Sequence, residues 1–172
     1  KISDPETAKE LSIDEIGQIE VRGPNVFKGY WKMPEKTKAE LRANGFFITG
    51  DLGKIDEDGY VHILGRDKDL IISGGYNIYP KELEEIIDDQ VGVLESAVIG
   101  VPHPDFGETP IAVIVSETET APDLEIIESN LSKSLARYKH PRKLLWIDQL
   151  PRNTMGKVQK NILREDYKSL FL

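Results

Sequence analysis

Apolar and polar positions alternate at the end of residues 16–21, IGQIEV, and the run predicts a β-strand closed by a Gly-Pro-Asn turn. PEKTKAELRAN (34–44) has the composition of a short helix with Pro34 in its first turn, and Gly45 is expected to end it. GFFITGDLGKIDEDGYVHILGR (45–66) predicts two or three strands, with Asp-Gly in DEDGY suited to a hairpin turn at positive φ. LIISGGYNIYP (70–80) predicts a hairpin folded at Gly74-Gly75, and PKELEEIIDDQ (80–90) a helix opened by Pro80 with acids in its early turns.

LESAVIGV (94–101) and TPIAVIVSE (109–117) are continuous apolar, β-branched runs of the kind that form buried strands. In APDLEIIESNLSKSLARY (121–138) the apolar residues return at helical spacing, and Pro141 lies just beyond. KLLWIDQL (143–150) predicts one more strand. KVQKNILREDYKSLF (157–171) predicts a final helix. The order is β-rich first and then βαββαβα, which defines an α+β chain of two units. Charged residues interrupt the apolar runs at Arg66–Asp69, so the boundary is expected there. Asp67, Lys68 and Asp69 cannot be buried cheaply; they are expected to form an exposed link able to hinge.

The chain has 172 residues, 39% of them hydrophobic and 30% charged, which describes a globular protein with one domain or one domain and part of another. No apolar run is long enough to span a membrane, and the first residues, KISDPETAKE, do not form a signal peptide. The absence of cysteine excludes disulfide and thiolate chemistry and suits a cytoplasmic protein. The first residue is Lys1, within polar, loop-like sequence, which leads us to expect a fragment of a longer chain. The net charge of −8 argues against a nucleic-acid partner. The charge is unevenly placed: residues 133–172 hold ten Lys and Arg against three Asp and Glu, and residues 1–132 hold twelve against 27. A basic tail of this kind serves a solvated helix face, a nucleic-acid patch or the lining of a polyphosphate site.

Several short constellations carry chemistry. LPRNTMGKVQK (150–160) sets a Gly-Lys pair at the end of a loop, but Pro151 and Val158 stand where a phosphate-binding P-loop needs Gly and Ser or Thr. Asp51 in FFITGD stands at a strand end, where a carboxylate can accept ribose hydroxyls or simply shape a turn. Arg66 offers a planar fork of donors for a phosphate or ribose oxygen. Ser73-Gly74-Gly75 is either a hairpin turn alone or a place where a ligand slides along bare backbone. His103-Pro104-Asp105 has the composition of a loop between strands. His62, His103 and His140 are too dispersed for a metal site, so none is expected.

In sequence order, IGQIEVRGPNVFKGYW, TGD, GRDKDLIISGGYNIYPKELE, GVPHPDFGE and LPRNTMGKVQKNILR resemble the C-terminal part of AMP-forming acyl-CoA synthetases, members of the adenylate-forming superfamily. The resemblance covers essentially the whole chain, and the closing stretch is particularly similar to malonyl-CoA synthetases, with related endings in medium- and long-chain ligases. It implies residues 1–67 as the last β-rich part of a large N-terminal ATP- and acyl-binding domain. Residues 68–172 then form a small mobile C-terminal domain with a β-hairpin and a short sheet packed by helices. It also implies two half-reactions: a carboxylic acid attacks MgATP to give acyl-AMP and pyrophosphate, and coenzyme A then displaces AMP.

By the same resemblance Lys157 is the catalytic lysine of adenylation, Asp51 and Arg66 bind the ribose and phosphate of ATP and AMP, and Lys68 is the hinge. Ser73, Gly74 and Gly75 form part of the coenzyme A channel. The basic tail becomes an attractive wall for ATP and for coenzyme A phosphates. Mg2+ is held mainly by ATP and by the absent N-terminal domain, so the fragment alone is expected to be inactive. Acylation at the corresponding lysine in relatives makes a lysine acetyltransferase and deacetylase expected partners at Lys157. Another adenylate-forming enzyme, or a non-catalytic binding module, is the alternative.

Overall fold

A computed structural model describes residues 1–172, which divide into two compact units, Lys1–Lys68 and Asp69–Leu172. The first unit is an antiparallel sheet in the order β1-β2-β3-β4, with β1 at Ile2–Ser3, β2 at Gly17–Val21, β3 at Phe47–Ile55 and β4 at Val61–Arg66. Gly59, at φ +85°, closes the β3–β4 hairpin, so GFFITGDLGKIDEDGYVHILGR forms two strands. Helix α1 covers Pro34–Glu40 and stops five positions before Gly45, the glycine expected to end it. Leu41 is already extended and bridges Phe47, because the Arg42 side chain is drawn to the buried carboxylate of Glu20 at 2.8 Å. Gly45, at φ +84°, serves the turn back into β3 instead.

Glu20 is fully buried on β2. Burial alone pushes its carboxyl up, but hydrogen bonds from Ser3 and Arg42 and the charges of Arg42 and Lys1 outweigh that and hold it below the usual carboxylate range. A lowered folded pKa contributes stability above the unfolded value, about 4.3, and loses it as pH falls through the folded value. Urea unfolding of this unit should therefore weaken more steeply below about pH 4 in wild type than in Glu20→Gln. Parallel acid sensitivity in the two proteins would exclude Glu20 as the source.

In the second unit β5 (Ile71–Ser73) and β6 (Tyr76–Ile78) form the short hairpin, and α2 spans Pro80–Asp88. β7 (Val93–His103) and β8 (Gly107–Ser116) form a long hairpin. The beginning of β8 meets β5, and its later half pairs in parallel with β9 (Leu144–Ile147). A parallel neighbour needs a crossover, and α3 (Leu124–Ser134) provides it. Side chains of β7 and β8 alternate between two faces. Val98, Ala112 and Ile114 pack with Leu83, Ile87, Ile127 and Leu131, beneath α2 and α3. Ala97, Ile99, Ile111, Val113 and Val115 pack with Leu150 and Leu163, beneath α4 (Lys160–Tyr167). Burial on both faces is why these strands read as unbroken apolar runs.

Two helices are shorter than their periodicity predicts. α3 ends at Ser134 rather than near Tyr138: Leu135 is extended and packs on the core, and Arg137–Lys139 form a separate 3₁₀ turn. Tertiary contacts win there, since Tyr138 stacks on Tyr76 at 4.9 Å and Lys139 pairs with Glu82 at 2.6 Å. α4 begins at Lys160, leaving Lys157 in the preceding loop. No helix is long and apolar enough to cross a membrane.

Candidate functional site

Asp51 and Arg66 are register partners on β3 and β4, and Arg66 Nε stands 3.0 Å from Asp51 Oδ1. Arg66 also donates to the Thr49 carbonyl at 3.1 Å. Thr49 Oγ1 in turn accepts the Asp51 N–H at 3.1 Å and donates to the Ile19 carbonyl at 3.0 Å. The TGD stretch is thus braced across two neighbouring strands. It presents one carboxylate and one guanidinium together, both still partly exposed. That pair can accept from hydroxyls and donate to an anionic oxygen side by side.

Asp67–Asp69 form a 3₁₀ turn in which Asp67 and Lys68 are exposed, as expected of a charged link. Asp69 departs from that expectation. It pairs with Arg164 of α4 at 2.7 Å and is largely buried by it.

The Ser73–Tyr76 turn has Gly74 at φ +56° and Gly75 at φ +85°, the two positive angles that a tight two-residue hairpin demands. It is a hairpin turn, and it also borders a ligand-sized hollow. Ser73, Gly74, Tyr76, Tyr138, Arg137 and Arg142 line an open pocket of about 820 Å³. The stacked Tyr76 and Tyr138 form one wall, and Arg142 lies over the Phe106 ring at 4.3 Å. An aromatic wall beside two guanidiniums suits a nucleotide: the rings stack on a base and the cations meet phosphate. Periodicity concealed these residues by assigning Arg137 and Tyr138 to a helix end.

Lys157 sits in a narrow loop drawn closed by a bridge between Arg152 and Val158. Asn153 Oδ1 accepts the N–H groups of Met155 at 3.0 Å and Lys157 at 2.9 Å, and the Asn153 carbonyl accepts that of Gly156 at 2.9 Å. These amides are therefore engaged within the loop and cannot cradle a phosphate, in keeping with the missing P-loop residues. Gly156 has φ +79°, and a Cβ there would meet nothing within 4 Å. Its role is the left-handed conformation rather than close approach. Val158 packs toward the core while Lys157 is exposed and makes no side-chain hydrogen bond or ion pair.

Arg152 ties the loop to the sheet. Its guanidinium donates to the Gly156 carbonyl at 2.5 Å and to the carboxylate of Glu95, near the start of β7. The Ser73 hairpin meets the same sheet at Gly107, opposite His103 at the other end of β7. Glu95 and His103 are on the order of 25 Å apart at the rise of an extended strand. The Lys157 loop and the glycine hairpin consequently occupy opposite ends of the long β7–β8 hairpin.

The basic tail is less free than its charge predicts. Lys139, Arg152, Lys160 and Arg164 pair with Glu82, Glu95, Glu84 and Asp69, and Lys168 pairs with Glu165. Half of the tail's cations fasten the unit together, and only the remainder can form a wall for phosphates. His103 packs between Phe106 and Phe171, at 4.8 and 5.3 Å, and its Nδ1 accepts the Asp105 N–H. It shapes the β7–β8 turn. No three His, Asp or Glu side chains are grouped to hold a metal ion.

Residues 82–157, ending on the exposed lysine, match the AMP-binding enzyme C-terminal domain. A putative acyl-CoA ligase of Bacillus subtilis (strain 168) is 45% identical over 164 residues, covering 95% of this chain and 32% of its own length. A long-chain-fatty-acid–CoA ligase of Mycobacterium tuberculosis is 42% identical over 153 residues, covering 89% and 30%. ATP-bound MatB from Rhodopseudomonas palustris superposes with a TM-score of 0.91 at 62% identity, over 99% of this chain and 34% of that one. The chain belongs to the AMP-forming acyl-CoA ligases of the adenylate-forming superfamily and corresponds to their C-terminal part. It spans about a third of the length of these relatives.

Proposed function

We propose that the full-length protein is an ATP-dependent carboxylic acid–CoA ligase whose two half-reactions use opposite ends of the second unit. In the first, the substrate carboxylate attacks the α-phosphorus of ATP, the bond to pyrophosphate breaks, and acyl-AMP forms. Lys157 supplies a mobile positive charge to the phosphoryl and carboxylate oxygens as negative charge redistributes. Asp51 accepts the ribose hydroxyls and Arg66 assists at the ribose and phosphate. Mg2+ belongs to the bound ATP and to residues outside this chain. In the second half-reaction the thiol of coenzyme A attacks the acyl carbonyl, AMP leaves, and the thioester remains. Ser73, Gly74 and Gly75 flank the thiol arm, and the pocket beside them takes the nucleotide end. The boundary of the proposed domains lies at 67–68, and Lys68 is the hinge that lets the two ends take turns.

The observation that carries this reading is the unpartnered Lys157 at one end of the long β7–β8 hairpin, with the glycine hairpin and its aromatic, cationic pocket at the other. The acid is chosen outside this chain. The similarity of the closing stretch to malonyl-CoA synthetases makes malonate the first acid to assay and a long-chain fatty acid the second. An exposed lysine on which adenylation depends is also a natural point of control, because acetylation by a lysine acetyltransferase would remove its charge.

Gly75→Leu tests the reading in the full-length enzyme. A side chain at φ +85° is strained, and in this reading it would obstruct the thiol passage. Thioester formation from supplied acyl-AMP should fall on the order of 10²-fold through misplacement of the reacting arm, while pyrophosphate release stays near wild type. Equal loss in both assays would remove the hairpin from the coenzyme A step.

A further inference from the structure

Ile71 anchors strand β5 in the core, but the backbone ladder between β5 and β8 is very short. Their ladder is a single register pair, Ser73 with Gly107, supported by one bond from the Gly74 N–H to the Phe106 carbonyl at 3.0 Å. One residue earlier the ladder has stopped, yet the Ile72 N–H is satisfied: the Glu108 carboxylate accepts it at 2.5 Å. Glu108 follows Gly107 on β8, and its side chain crosses the gap that the two backbones leave. Space for that crossing comes from β7, where a Cβ on Gly100 would lie 2.3 Å from Glu108 Oε2 and 3.0 Å from its Cδ. Gly100 is not among the glycines at positive φ, so the missing side chain there serves space and not backbone conformation.

We propose that Glu108 is a positioning residue for thioester formation: its carboxylate sets β5 on β8 and thereby places Ser73, Gly74 and Gly75. A charge-assisted bond to a backbone N–H is a strong replacement for a missing ladder bond. Without it, the backbone tie is left to Ser73 and the Gly74–Phe106 bond, and although Ile71 and Ile78 stay anchored in the core, the turn end of the hairpin loses its fixed seat on β8. Glu108 touches no substrate in this role. The inference rests on the reading of Ser73–Gly75 as the thiol passage.

The test uses three variants of the full-length enzyme and two kinds of readout. In Glu108→Ala the Ile72 amide should exchange faster with solvent, and kcat/KM for coenzyme A in thioester formation should fall on the order of 10- to 100-fold, as small misplacements of a reacting group do. Pyrophosphate release should not change. Glu108→Gln keeps an acceptor at the same reach and should restore both properties. Gly100→Ala, whose Cβ would crowd the Glu108 carboxylate and also Ile71 Cγ1 of β5 at 3.2 Å, should speed Ile72 exchange in the same direction. Unchanged Ile72 exchange in Glu108→Ala, or a parallel fall in pyrophosphate release, would overturn the proposal. Faster Ile72 exchange with untouched coenzyme A kinetics would instead remove the hairpin from the coenzyme A step, and the proposal with it.

Discussion

Lys157→Ala in the full-length enzyme should slow pyrophosphate release by roughly 10²–10³, the cost of deleting one preorganised electrostatic contact from a transition state. The loop explains why the loss should be catalytic and not structural. Lys157 is exposed and unpartnered, while the shape of the loop depends on Asn153, Arg152 and the positive φ of Gly156. Removing the side chain therefore leaves the fold untouched, and the unfolding midpoint should match wild type. Lys157→Arg should recover little, because a planar fork does not replace a compact charge on a flexible stem.

Glu84→Ala should have the largest effect on stability, about 3–5 kcal/mol, the usual cost of breaking a buried pair from one side. Glu84 is on α2 and nearly buried, and one oxygen, Oε1, accepts both the Val98 N–H at 2.8 Å and the Lys160 ammonium at 2.6 Å. β7 is an edge strand, so Val98 would otherwise leave an amide unpaired under a helix. Lys160 is the first residue of α4 and lies three positions after Lys157, so this pair also seats the loop that carries Lys157. Replacing Glu84 and Lys160 together by Met should cost less than Glu84→Ala alone, since no orphan charge remains. Urea denaturation decides it. A single-variant loss below about 1 kcal/mol would mean that the pair behaves as a surface bridge.

Much of the scaffold was legible because it depends on local rules. Gly74-Gly75 and the Asp-Gly of DEDGY announced their turns through positive φ, and Pro80 opened its helix where Pro is tolerated. The β-branched runs of β7 and β8 announced strands covered on both faces. The misjudged ends of α1 and α3 lie where distant contacts override local preference. Arg42 leaves α1 for Glu20, and Tyr138 leaves the expected α3 for Tyr76, with Lys139 beside it paired to Glu82.

At the candidate site, Asp51, Arg66, Lys157 and the Ser73–Gly75 stretch stood out as short motifs, but local chemistry left each open to a plain turn or loop, and their expected roles came from the resemblance to AMP-forming acyl-CoA synthetases. Their supports did not stand out. Arg152 finds Glu95 across 57 positions, Ile72 finds Glu108 across 36, and Arg164 finds Asp69 across 95. No spacing rule joins such pairs, and the charge excess of the tail concealed that half of it is neutralised. One local sign was present: Asn153, four residues before Lys157, is a residue type whose side chain readily holds the amides that follow it.

The central claim is that Lys157 serves adenylation alone. Its most direct test supplies purified acyl-AMP and coenzyme A to full-length Lys157→Ala and follows thioester formation, bypassing the first half-reaction. The account predicts a rate close to wild type from an enzyme that releases pyrophosphate roughly 10²–10³ times more slowly. A thioester rate reduced by the same factor would contradict it, because one lysine would then be serving both steps.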